Sequence, residues 1–170
     1  MAQMSELRFS FSNQVFVVIG ILSTLLSNGL GIGFLPIIVS DEINGSNHKL
    51  LDEQSLSYLE AAGELAFIAS ILIIPLTMQK KGRKVANIVT IMPAFLGWVL
   101  SFNAGKFFSL VIINALHNIS LGGAVSISST LMSEFCSFKY TGLFFMIEIA
   151  MITLGILLCH ICNVGISPKQ

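Results

Sequence analysis

The sequence predicts an all-α fold, a polytopic membrane bundle of five transmembrane helices. Three observations predict it. Of 170 residues, 54% are hydrophobic and 11% are charged, whereas a soluble domain carries about a quarter charged residues. The mean hydropathy is +0.85. Five separate stretches also reach the roughly 20 apolar residues a helix needs to cross a hydrocarbon core about 30 Å thick. A soluble globule of this size has too much surface for so few charges, and a disordered chain has far fewer apolar side chains. Nine basic and nine acidic side chains cancel, so no net field draws the chain to nucleic acid. Three cysteines make no disulfide scaffold.

Residues 1–13 lead into the first span, 14–39. Its apolar core is longer than the h-region of a cleavable signal, and only Arg8 precedes it, so it stays in the membrane. Thr24, Ser27, Asn28 and Gly31 form a small, polar face on it. Gly29, Gly31 and Gly33 permit close backbone approach, for tight packing or for a substrate groove. The second span, 57–78, carries Glu60 and Glu64, four apart on one helical face. Glu60 suits a solvated helix start, where a carboxylate also favours the helix dipole. Glu64 lies a turn deeper, as a cavity-lining or a structural acid. The runs Ala66–Ala69 and Ile71–Ile74 do not alternate, so the spans are helices and not barrel strands. In lipid, each span closes its own backbone hydrogen bonds.

A very short basic turn, Lys80 to Lys84, leads into the third span, 85–102, with Pro93 and Trp98. The fourth span, 107–132, places Asn114, His117 and Asn118 at i, i+3 and i+4. Such a stripe serves either interhelical hydrogen bonding or a solute pathway. The fifth span, 140–162, carries Glu148 about two turns from its start, and residues 163–170 form a short tail. Ionisable groups within a span turn toward protein or a wet cavity. Asn28, Glu64, Asn114, His117, Asn118 and Glu148 are therefore the candidate solute-pathway residues. Cys159, His160 and Cys162 have no second ligand pair elsewhere, so no metal site is expected. No phosphate loop, nucleophile elbow or paired acidic motif is present, which points away from an enzyme and from any cofactor.

Arg8, Lys80, Lys81, Arg83, Lys84 and Lys139 fall on one side of the membrane, and Lys49, Lys106 and Lys169 on the other. The excess places the amino terminus in the cytoplasm. The loop 40–56 is then external, and it holds the glycosylation acceptor Asn44-Gly45-Ser46. The same triplet at Asn118 lies within a span, out of reach of the modifying enzyme.

Tyr58, Gly82-Arg83-Lys84, Pro93, Trp98 and Glu134 fall at the spacing of the sugar porters of the major facilitator superfamily. From about Leu51 to Leu158 the chain resembles most the insect facilitated trehalose transporters. The resemblance implies the first half of the major facilitator fold, and a cytoplasmic gate formed by Gly82, Arg83, Lys84, Glu134 and Gly142. In that pattern Glu134 pairs with Arg83 or Lys84. The chain departs from the family at Pro75, Gln79, Asn114, Ser129, Leu131, Thr141 and Ile149, where family glycine, acidic, arginine, proline, tyrosine, arginine and glutamine residues stand. Half the gate's charge partners are thereby replaced.

The resemblance implies facilitative transport of a hexose or a trehalose-like disaccharide across the plasma membrane. The partners expected are the lipid bilayer and a small-molecule sugar. Family members have twelve spans with solute bound between two six-helix halves, so a five-span chain is expected to be an amino-terminal fragment, apparently truncated. Two alternatives stay open. One is a non-transporting membrane partner or degenerate paralogue that binds a full-length transporter. The other is a proton-coupled small-solute transporter using the intramembrane acids Glu64 and Glu148.

Overall fold

The computed structural model describes residues 19–39, 53–102, 107–135 and 138–166. They form five helices: α1 (Ile19–Val39), α2 (Glu53–Lys81), α3 (Arg83–Ser101), α4 (Phe107–Phe135) and α5 (Phe138–Ile166). All five are long and apolar enough to cross a membrane. At 1.5 Å per residue the 29 residues of each of α2, α4 and α5 span roughly 43 Å. That exceeds the hydrocarbon core and reaches into both headgroup layers. This is why α2 begins a turn before the apolar onset at Ser57 and α5 continues a turn past Cys162. Asn44 and the side chain of Glu134 lie outside the described residues.

A single residue reverses the chain between α2 and α3. Gly82 has φ 85° and ψ 167°, a region that is almost closed to residues with a Cβ. Its N–H donates to the Met78 carbonyl at 3.0 Å, and its carbonyl accepts from the Ala86 N–H at 3.2 Å. Both helix ends are thus hydrogen-bonded through the turn, with Lys80, Lys81, Arg83 and Lys84 exposed around it.

The centre of the bundle is α4. Half of its most apolar window is buried, against 17–22% for α2, α3 and α5. It packs along α2 and α3 and touches α5 only lightly. The helix α1 runs antiparallel to it: Ile21 and Leu25 cluster with Ala124 and Ile127, Gly31 faces His117, and Val39 clusters with Leu110. On its other side α1 crosses α5 backbone to backbone. A Cβ on Gly29 would strike the Ile152 carbonyl oxygen, and one on Gly155 would lie 2.5 Å from the Leu26 carbonyl oxygen and 2.9 Å from the Leu30 nitrogen. Glycine is required here for space.

The outward faces carry large apolar side chains, among them Leu65, Leu72, Phe95, Met146 and Leu157. Beside lipid tails these cost nothing to expose, and helix association depends instead on close packing and on interhelical polar contacts. The molecule is a multi-pass membrane protein whose polar residues become informative once their partners are known.

Candidate functional site

The polar stripe of α4 divides between two neighbours. Asn114 donates from Nδ2 to the Leu59 carbonyl of α2 at 2.7 Å, and Asn118 donates from Nδ2 to Asn114 Oδ1 at 2.8 Å. The pair fits because Gly63 of α2 lies against it: a Cβ there would be 2.5 Å from Asn114 Nδ2 and 2.8 Å from Asn118 Nδ2. These two asparagines fasten α4 to α2. Interhelical bonds of this kind average about 0.6 kcal/mol and reach about 1.7.

His117 turns the other way. At 3.6 residues per turn it sits about 60° around the helix from Asn114, and its ring enters the gap between α1 and α3. A Cβ on Gly31 would lie 2.5 Å from Nδ1, and one on Gly97 would lie 3.0 Å from Nε2. Trp98 of α3 meets the imidazole edge-on, ring centres 5.2 Å apart, and Phe34 of α1 packs on Trp98 at 5.8 Å. The indole Nε1 donates to Ser27 Oγ of α1 at 3.3 Å. His117 is 3% exposed, and neither ring nitrogen has a hydrogen-bond partner among the described residues.

Two further side chains share this level. Asn28 precedes Gly31 by one turn, and Ser120 follows His117 by one turn. Because α1 and α4 are antiparallel, the pairing of Gly31 with His117 brings Asn28 level with Ser120. Both are 0% exposed, and Asn28 Oδ1, Asn28 Nδ2 and Ser120 Oγ also lack partners among the described residues. A buried polar group without a partner costs about 1–3 kcal/mol, and native proteins contain few of them. Three in one layer of the α1–α4 contact demand a chemical reason.

Glu148 occupies a separate level. Ser128 follows His117 by eleven residues of α4, roughly 16 Å along the axis. Its Oγ lies 3.1 Å from Glu148 Oε2 and 3.0 Å from the Val125 carbonyl, and Glu148 Oε1 has no partner among the described residues. The hydroxyl has one proton and cannot donate to both oxygens. It therefore donates to the Glu148 carboxyl or to the Val125 carbonyl, one at a time. No residue of α1 is charged, and α4 contributes only His117 and Glu134.

The remaining sequence candidates are dispersed. Glu64 is exposed on α2, away from the buried layer, as is Glu60. Gly82, Arg83 and Lys84 are exposed at the α2–α3 turn, and Gly142 has open space around its α-carbon. The pairing of Glu134 with Arg83 or Lys84 lies outside the described residues. Among the described residues no three His, Cys, Asp or Glu side chains converge to hold a metal ion.

The structure thus buries Asn28 and His117 within one turn of each other along the α1–α4 contact, joins Asn114 with Asn118, and leaves Glu64 and Glu148 apart from both. Sequence reading overlooked Ser120, Ser128 and the contact of Trp98 with His117. The one-turn spacing from His117 was the available signal for Ser120. For Ser128 no comparable signal exists, since serine in an apolar helix commonly bonds its own backbone.

A family model described as Sugar (and other) transporter matches residues 46–169. No curated protein and no solved structure matches the chain.

Proposed function

The chain belongs to the sugar (and other) transporter family, and we propose that it works in facilitative transport of a hexose or a trehalose-like disaccharide. Its five helices form a wall of the solute route. The match over residues 46–169 is the observation that carries this reading. Transport of a neutral sugar needs no covalent chemistry. It needs groups that exchange hydrogen bonds with hydroxyls and helices that part at low cost.

The contacts of α1 suit that second need. It meets α5 and His117 through glycines at van der Waals range, and the bond from Trp98 to Ser27 is long. Such an interface separates without stranding many hydrogen bonds. In this proposal, α1 moving off α4 uncovers Asn28 and His117 to the solute route. Arg83 and Lys84, on the cytoplasmic side, pair with Glu134 to close it. The plasma membrane is the proposed location, with the amino terminus inside.

Purified protein in liposomes tests the reading through uptake of radiolabelled D-glucose and trehalose, with L-glucose as the stereochemical control. Saturable uptake of either substrate, competed by the unlabelled sugar, is expected. Rates equal to protein-free liposomes for every sugar would refute transport by this chain and favour a non-transporting partner of a full-length carrier.

Glu148 favours a second reading, proton coupling, because it is a buried intramembrane acid whose Oε1 has no hydrogen-bond partner among the described residues. An inward proton gradient would then accelerate uptake by the wild-type protein and leave Glu148→Gln unaffected. Equal responses of the two would exclude it.

A further inference from the structure

We infer that the layer formed by Asn28, His117 and Ser120 is a binding site for a neutral hydroxyl group, set between α1 and α4 and roofed by Gly31 and Gly97. Five polar atoms on three side chains, each at least 97% buried, have no partner among the described residues. The antiparallel register of α1 on α4 sets Asn28 level with Ser120, one turn from His117.

Their chemistry identifies the class of ligand. An anion site gathers donors, and a cation site gathers oxygen acceptors. This layer contains both in balance. Asn28 supplies an amide donor and a carbonyl acceptor, neutral imidazole supplies one of each, and the Ser120 hydroxyl supplies one of each. No residue of α1 is charged, and the nearest acid on α4, Glu134, is more than a dozen residues along the helix. A group that donates and accepts at once, and carries no charge, suits the set, each such hydroxyl reaching at most three of its atoms. A hydroxyl does this, whether it belongs to a polyol or to water.

The glycines explain how such a small site is kept. Gly31 and Gly97 let α1 and α3 lie directly against the imidazole, and any larger residue at either position would displace the ring. The edge of Trp98 fixes the ring from the side. The polar atoms are closed off on every side by this packing, so the layer acts as a subsite that a hydroxyl reaches when α1 shifts.

The polyol form of this inference rests on the transport reading, and the water form does not. Trp98 is the single tryptophan of the chain, so its fluorescence reports directly on the layer. The experiment titrates the intact protein in phosphatidylcholine vesicles with D-glucose and trehalose, using NaCl as the ionic control, and also records melting temperatures. A saturable fluorescence change, at least about tenfold weaker in both Asn28→Leu and Ser120→Ala, identifies the hydroxyl as a sugar's; a tenfold change corresponds to about 1.4 kcal/mol of binding. Silence toward sugars, with melting temperatures lowered in both variants, identifies it as water's. The inference is overturned if the sugar response survives both variants. It is also overturned if sugars have no effect and either variant melts at or above the wild-type temperature, the result for polar groups that hold nothing. Saturable uptake accompanied by either overturning result would remove the subsite and leave transport intact. A Trp98 response without uptake would do the reverse.

Discussion

Replacing Gly82 with alanine should destabilise the whole bundle, although the residue is exposed and its α-carbon has nothing within 4 Å. The effect comes from the backbone. With φ 85° and ψ 167°, residue 82 occupies a region that costs a residue with a Cβ about 1–3 kcal/mol. Alanine also stiffens the unfolded chain, which returns about 0.4–1 kcal/mol. The net loss is about 1.3 kcal/mol at mid-range, roughly a ninefold fall in the ratio of folded to unfolded protein. Asparagine should bring no relief, because the left-handed helical region it tolerates has ψ near +45°. Gly142→Ala is the matched control: that glycine lies inside α5 with open space around it and ordinary φ, so alanine should gain about 0.5–1 kcal/mol there. Denaturant titration in detergent micelles, followed by helical circular dichroism and Trp98 fluorescence, measures both. A Gly82→Ala protein as stable as wild type, or more stable, would refute the assignment of this turn as a strained, glycine-only reversal.

Other contacts yield further expectations. Gly155→Ala should force α1 and α5 apart by about 0.9 Å, the difference between an ordinary contact of about 3.4 Å and the 2.5 Å available; gaps of that size forfeit a quarter to a half of the dispersion attraction. Because a Cβ on Gly33 lies 3.0 Å from Cys159 Cβ, about 0.5 Å short of the shortest usual disulfide spacing, Gly33→Cys should cross-link to Cys159 on mild oxidation once α1 and α5 part slightly, and adding Gly155→Ala, which supplies that parting, should speed the reaction. Asn114→Ala should cost about 0.6–1.7 kcal/mol, measured by the same unfolding titration. Once the Asn114 side chain is gone, Asn118 keeps only its bond to the residue-114 carbonyl within α4, so Asn118→Ala should add little; additive losses would contradict that coupling.

The five helices were legible in the sequence because lipid restricts the chain to helices and closed barrels, and runs such as Ala66–Ala69 exclude barrel strands. The Gly82 reversal was legible too, since two apolar spans separated by a few basic residues leave room for little else. The fate of the α4 stripe was not. Spacing gives the angle between Asn114, His117 and Asn118, but it does not say which neighbour each angle meets. The structure resolves this through Gly63, which receives the asparagines on α2, and through Gly31 and Gly97, which receive the histidine between α1 and α3. In the same way Gly29 announced a close approach without naming Ile152 as its partner. Glu64 and Glu148 looked alike as intramembrane acids, yet one is exposed on α2 and the other is buried against Ser128. Burial of that kind depends on tertiary pairing of distant segments, which periodicity within one helix does not encode.

The central claim is that this membrane bundle belongs to a machine that moves sugar by alternating exposure. Counterflow tests it most directly: proteoliposomes preloaded with unlabelled sugar are diluted into a trace of the labelled form. The account predicts a transient accumulation of label above its equilibrium level. A monotonic rise to equilibrium, at the rate of protein-free liposomes, would contradict it.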